Sequence, residues 1–343
     1  MFLNSDTIDS KCYQNLLFNQ YYFIQGGVAM ARYILKRLAL MFTTLLVIIS
    51  VTFFLVRLLP GSPFNDEKLS PQQVEMINKQ YGLDAPVPVQ YVKYMKGVFT
   101  GDLGRSFKYD NKKVEDLIGT RIKASSMLGV QAIAIGSVVG LSLGILAALK
   151  KNTIWDYLAT IISVLGVSVP SFVIAALLQL YLTTKNQIFP VTWGMPIGSD
   201  FRYVWTVLPS IALAFFSIAS ISRFTRTELV EVLNAEYIVT AKAKGLTKAT
   251  VIIKHALRNA LIPVITVIGP LVVSLLTGAL VVEKVFAVPG LGDLLVTAIT
   301  TNDLFVISGV SIFYSAFYIG VILLVDILYG IIDPRIRVAG GKA

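Results

Sequence analysis

Six apolar stretches constrain this chain more than any other feature. They cover residues 38–56, 125–149, 158–182, 204–222, 264–282 and 305–329, and each runs 19 to 25 residues. A helix needs roughly 20 apolar residues to cross a bilayer. Five stretches contain no Asp, Glu, Lys or Arg, and the sixth contains only Asp326. Backbone amides in hydrocarbon have no water to bond, so each stretch must satisfy them internally, as a helix. The expected fold class is therefore an all-α polytopic membrane protein with six transmembrane helices. The whole chain is 55% apolar and 15% charged, against about 25% charged in a soluble domain. A soluble enzyme, a disordered chain and a nucleic-acid-binding domain are excluded, and the lipid bilayer is the first partner.

The net charge of +10 then reads as topology. Six spans put both termini on one side, and short cytoplasmic loops collect Lys and Arg. With the N-terminus inside, the inner segments 1–37, 150–157, 223–263 and 330–343 carry sixteen basic residues. The outer loops 183–203 and 283–304 carry three, Lys185, Arg202 and Lys284. The other eleven lie in the segment 57–124, and long segments translocate largely regardless of charge. Both termini are expected to be cytoplasmic.

Residues 1–29 precede the first span and read as an extension or a misassigned start, because Met30-Ala31-Arg32 opens a second basic lead. The first span occupies 30–57. Pro60-Gly61-Ser62-Pro63 ends it, and 58–124 forms an extracytoplasmic segment. Within that segment Ser70-Pro71 offers a helix start, and 89–99 is amphipathic. It is either a packed cap on the outer mouth or a docking surface for an external partner. A core of five helices fills 125–330, and 331–343 is a cytoplasmic tail.

Hydroxyl groups mark a candidate pathway. Span 3 contains Ser168, Pro170 and Ser171, and a Pro inside a membrane helix permits a kink. Span 5 contains Ser274 and Thr277. On span 6, at 100° per residue, Ser308, Ser311, Ser315, Tyr318, Asp326 and Tyr329 all fall within about 80° of one another. Such a stripe faces protein or water, or serves close helix packing. Asp326 sits one turn from the cytoplasmic end, where an acid pairs near the interface or relays protons.

The inner loop 223–263 is amphipathic and basic. Residues 223–243 read as a helix leaving the membrane, with Leu229, Val232, Leu233 and Glu236 at helical spacing. Gly245 interrupts it, Thr247 offers an N-cap, and a second helix through Val251, Ile252, His255, Leu257 and Leu261 ends near Pro263. The loop lies on anionic lipid, packs on its own protein, or presents a helix to a soluble partner. His255 is the only histidine and Cys12 the only cysteine, so neither a disulfide framework nor a metal site is expected. Pro289-Gly290-Leu291-Gly292-Asp293 lacks the Lys of a phosphate-binding loop, so no cofactor is expected and any ATPase must be a separate subunit.

The run Glu236-Tyr237-Ile238-Val239-Thr240-Ala241-Lys242-Ala243-Lys244-Gly245-Leu246, followed by His255-Ala256-Leu257-Arg258-Asn259-Ala260-Leu261-Ile262-Pro263, resembles the cytoplasmic loop of ABC-importer permeases. It is most similar to the B-type subunit of oligopeptide and dipeptide importers, whose relatives also carry nickel or glutathione. In the general loop, Glu-Ala-Ala precedes Gly by three residues, and nine more lead to Ile-x-Leu-Pro. Ala241, Gly245 and Leu257 match; Val239, Thr240, His255 and Arg258 depart, as is typical of the peptide subfamily. Tyr81-Gly82-Leu83-Asp84-Ala85-Pro86, Gly101-Asp102-Leu103-Gly104-Arg105-Ser106, the run from Val285 to Gly292, and Asp333-Pro334-Arg335-Ile336-Arg337 extend the resemblance from about Met30 to Arg337.

The resemblance implies a type I ABC importer transmembrane fold in a prokaryotic cell membrane. It implies a second homologous permease, two ATP-binding subunits and an extracytoplasmic binding protein that delivers peptide. It also implies that Tyr237, Thr240, Ala241, Lys242, Ala243, Lys244, Gly245, Leu246, His255 and Leu257 couple to the ATPase. Small Ala241 and Ala243 would permit close approach, while Lys242, Lys244 and Lys248 would meet acidic residues. The alternatives are a permease for nickel, glutathione or another small solute and, in a different class, a proton-coupled secondary transporter using Asp326.

Overall fold

The computed structural model describes residues 35–58, 84–189 and 204–332, together with Gln72, Glu75, Met76, Lys79 and Gly82. The extension 1–29, the Pro60–Pro63 stop, the Ser70-Pro71 start and the tail beyond 332 lie outside the described residues. So do the side chains of Thr277, Asp326 and Tyr329. The chain forms α1 (Leu35–Arg57), α2 (Val87–Thr100), α3 (Val114–Leu149), α4 (Ile154–Ser168) and α5 (Ser171–Leu178, continued by a π-helical stretch Gln179–Lys185). Then follow α6 (Val204–Leu233), α7 (Glu236–Ala243) and α8, which starts at Lys248–Thr250, widens into a π-helical turn over Val251–Leu257 and continues as Arg258–Val285. The last two are α9 (Leu291–Thr300) and α10 (Leu304–Ile332). Among the described residues, five helices are long and apolar enough to cross a membrane, and α4 with α5 makes a sixth span if the two are one broken element.

Four boundaries differ from the sequence expectation, each for a physical reason. The helix expected from 125 begins at Val114, inside the supposed outer segment. Its charges hid a helical stripe, Val114, Leu117 and Ile118, that is buried, and Glu115 and Asp116 suit the positive helix start. The span 158–182 is not merely kinked at Pro170 but bent by 106°. Proline drives the residue before it out of the α region, and Val169 is extended at φ −91°, ψ 122°. The helix expected over 223–243 divides at Ala235, whose extended backbone (φ −70°, ψ 147°) resets the axis between α6 and α7. Finally, Pro263 does not end a helix: it and Pro270 both lie inside α8. Membrane helices tolerate the lost amide because neighbours re-satisfy the freed carbonyl.

The spine of the fold is the α3–α6 pair, the most extensive helix contact. Gly136, Gly140 and Gly144 recur every four residues and so share one face of α3. A Cβ at Gly136 would sit 2.6 Å from Ser217 Cβ, and one at Gly144 would sit 2.6 Å from the Ser222 carbonyl oxygen. Without hydrophobic drive between helices in lipid, such small-residue faces let backbones approach and gain dispersion contacts. The result is that α6 is 67% buried across its apolar window, while α1 is only 17% buried. Away from this spine, α2 lies against the end of α1. Phe53 packs on Tyr91 and Tyr94 with centroids 5.2 and 5.1 Å away, and the Ser50 and Tyr91 hydroxyls are 2.7 Å apart. Burial pushes the Tyr94 hydroxyl up to about 12.

Candidate functional site

The segment 234–261 builds a compact helix-turn-helix at one end of the bundle. On α7, Ile238 and Ala241 face inward, three residues apart as one helical face requires. They join Ala148 of α3, Leu229 of α6, and Val251, Ala256 and Ala260 of α8 in one apolar cluster. The Tyr237 hydroxyl accepts a hydrogen bond from Asn259 Nδ2 at 3.0 Å, adding a polar tie to α8.

The end of α7 is a Schellman motif. The Gly245 N–H donates to the Lys242 carbonyl at 3.0 Å, and the Leu246 N–H to the Ala241 carbonyl at 3.4 Å. That geometry needs a left-handed residue, and Gly245 has φ +78°. Two residues on, Thr247 caps α8 as expected: its Oγ1 accepts the Thr250 N–H at 3.3 Å. Behind this unit, Arg226 Nε and Nη2 form a two-pronged pair with the buried Asp156 carboxylate at 2.5 and 2.8 Å. The pair ties α6 to the first turn of α4.

The expected coupling residues therefore divide. Tyr237, Thr240, Lys242, Ala243, Lys244, Gly245 and Leu246 are exposed, as is the neighbouring Val239, and together they form one outward patch. His255 and Leu257 are half-buried, and Leu257 packs on the apolar cluster. Ala241 is buried, so its small side chain serves close packing within the chain, and Ala243 alone keeps the outward role expected of both.

The expected pathway residues do not gather in one place. Ser168 lines a cavity of about 430 Å³ between α4 and α6, with Ser163, Ser222 and Arg223 nearby. Exposed Pro170 and half-buried Ser171 lie at the α4–α5 break. Ser274 and Ser315 spend their hydroxyls on their own helices, donating to the Leu271 and Ser311 carbonyls at 2.9 and 2.8 Å. Ser311 is half-buried, and Tyr318 is exposed. Ser308 is buried and lies beside Tyr94 and Arg57, under α2.

Residues 140–338 match the family described as binding-protein-dependent transport system inner membrane component, and residues 30–123 match its N-terminal model. The chain belongs to this family. The permease is 44% identical over 309 residues to the dipeptide transport system permease protein DppB of Lactococcus lactis subsp. cremoris, covering 90% of this chain and all of that one. It is 46% identical over 310 residues to DppB of Bacillus subtilis, covering 90% and 98%. With the oligopeptide transport system permease protein OppB of Salmonella typhimurium it shares 39% over 309 residues, covering 90% and 100%. A solved amino acid ABC transporter with histidines superimposes with a TM-score of 0.48 at 18% identity, covering 64% of this chain and 94% of that one.

Besides Asp156, two further buried acids of the permease escaped the sequence reading. Glu283, fully buried, accepts the Gly292 N–H at 2.7 Å on Oε2 and lies 2.6 Å from Ser125 Oγ through Oε1. The Pro-Gly-Leu-Gly loop is thus a close-approach device: a Cβ at Gly290 would fall inside this carboxylate. Asp303, also fully buried, accepts the Ser106 hydroxyl and the N–H groups of Phe107 and Lys108, at 3.0 and 3.2 Å for the amides. It clamps the 101–109 loop to the corner between α9 and α10. Removing a buried acceptor strands its donors at about 1–3 kcal/mol each. Asp303→Ala is therefore expected to raise amide exchange across residues 104–109 while leaving α3 and α6 protected. Unchanged exchange in that loop would show that the clamp contributes nothing.

Proposed function

We propose that this permease forms, with a homologous second permease, the membrane pathway of an ATP-driven importer for dipeptides or oligopeptides. Two ATP-binding subunits dock on the cytoplasmic face of the permease pair, with α7 as this chain's contact, and an extracytoplasmic binding protein delivers the peptide. The observation that carries the reading is the outward patch of α7 beside the Gly245 turn, in a chain whose relatives are named as dipeptide and oligopeptide permeases. A short helix that is anchored by Ile238 and Ala241 yet exposed on its other face suits a helix-in-groove contact. Closure of the ATPase pair then acts on α7, and the shared apolar cluster passes the motion to α3, α6 and α8.

Deleting the chain's gene is expected to abolish uptake of labelled di- and oligopeptides, and the wild-type chain is expected to restore it. Restored nickel or glutathione uptake without peptide uptake would assign another solute. Peptide uptake that survives ATP depletion but stops with a protonophore would assign the secondary-transporter class.

A further inference from the structure

Eleven basic residues between 57 and 124 have no topological explanation. Three of them, Arg57, Lys93 and Arg105, line one cavity of about 430 Å³ where α1 ends, between α1, α2, the 101–111 loop and the start of α10. Among the described residues its one acid is Asp102, whose Oδ1 accepts the Gly104 N–H at 3.1 Å. Lys93 and Arg105 have no acidic partner among the described residues. Three cations against one engaged carboxylate make the cavity a receptor for an anion.

The cavity is also preformed. The Arg57 guanidinium lies 3.5 Å over the Phe53 ring and donates to Gln90 Oε1. Arg105 Nη1 donates to the Asn111 carbonyl at 3.0 Å. The loop floor cannot shift freely, since a Cβ at Gly97 would meet the Asp102 carbonyl at 2.6 Å and one at Gly104 would meet Phe305 at 2.5 Å. Holding cations in place beforehand lowers the ordering cost of binding.

The membrane side of the cavity points to the source of the anion. Its wall there is Phe53 and Val56, and the neighbouring α1 residues Val51, Phe54 and Leu55 are exposed, as is Leu58 just beyond the helix. Arg57 ends the span, at the depth where long basic side chains reach the headgroup layer. We propose that this cavity seats the phosphate of an anionic phospholipid, with Lys93 and Arg105 as its contacts and the acyl chains lying along the exposed face of α1.

The test uses the full-length chain, purified in mild detergent with the subunits that accompany it. Binding is read by native mass spectrometry and thermal stability. The probes are phosphatidylglycerol, phosphatidylcholine, inorganic phosphate and a dipeptide with a free carboxylate. Phosphatidylglycerol should remain bound and stabilise the protein, and each cation removed by Lys93→Gln or Arg105→Gln should weaken it about fivefold. Lys93→Arg should retain binding, and the control Lys108→Gln, away from the cavity, should change nothing. Because Lys93 is exposed, Lys93→Gln keeps the test valid if Arg105→Gln does not fold. Equal stabilisation by phosphatidylcholine, unchanged affinity in Lys93→Gln, or equal stabilisation by phosphate or dipeptide alone would each overturn the proposal.

Discussion

Replacing Gly144 with Leu is expected to be the most damaging single change in the α3–α6 spine. At this position the obstruction is backbone: even a Cβ would lie 2.6 Å from the Ser222 carbonyl oxygen and 2.6 Å from Thr225 Cβ. A flexible side chain can rotate away from such a clash, but a helix backbone must move as a body. Overpacking a close-packed core costs about 1–3 kcal/mol, occasionally more, and Leu adds three carbons beyond that Cβ. The neighbours Gly140 and Gly136 meet Ile221 and Ser217 at similar distances, so separating the helices at one glycine loosens contact at all three. The expected result is a loss of at least about 3 kcal/mol, read as a fall of the melting temperature in detergent and of the amount recovered from membranes. Gly144→Ala should show the same effect in smaller measure. Gly129→Leu is the matched control on the same helix, because nothing lies within 4 Å of its Cβ. If Gly144→Leu melts like Gly129→Leu, the glycine spine does not hold the fold.

Gly245→Val should leave the protein in the membrane at its normal level and reduce peptide uptake by at least about tenfold, equivalent to 1.4 kcal/mol. The position is open, with nothing within 4 Å of a Cβ, so crowding inside the chain plays no part. The cost comes from φ +78°, which a β-branched residue adopts only under strain of about 1–3 kcal/mol. Relief of that strain breaks the two bonds from Gly245 and Leu246 that close α7, and the outward patch turns away from its partner. Asn tolerates this conformation better than Val, so Gly245→Asn should recover part of the uptake. Wild-type uptake with coupled ATP hydrolysis in Gly245→Val would remove α7 from the coupling role.

The residues explain which parts of this molecule were legible in its sequence. Lipid imposes so strict a demand on the backbone that six apolar runs were enough for the class of fold, and Pro170 marked where one span breaks. Gly245 and Thr247 were legible because turn and cap geometries admit few residue types. The start of α3 was hidden because Glu115, Asp116 and Arg121 made an amphipathic stripe look like loop. The continuity of α8 was hidden because Pro263 is a stop signal in water and only a lost bond in a membrane helix.

Ala241 was assigned outward because it matches the loop pattern of the resembling permeases and is small. The helical phase with Ile238, three residues before it, carried the opposite message. The Gly136, Gly140 and Gly144 face was readable from its spacing. Glu283 and Asp303 were not, because a lone acid at the edge of an apolar run looks like a span boundary. Their partners Ser125 and Ser106 lie 158 and 197 positions away.

The unbroken course of α8 gives the permease a mechanical element. Its pieces of 3, 7 and 28 residues form a rod about 57 Å long at 1.5 Å per residue. One end is packed on α7, and the other holds the Glu283 carboxylate against α9. A tilt of about 5° at the base of such a rod displaces its tip by about 5 Å, more than the reach of a hydrogen bond. Pro263 and Pro270, where the helix lacks two of its internal bonds, concentrate the compliance in the middle. On the proposed docking reading, α8 is a lever with a soft section, and the stiffness at those two prolines governs how much of the stroke reaches the far end.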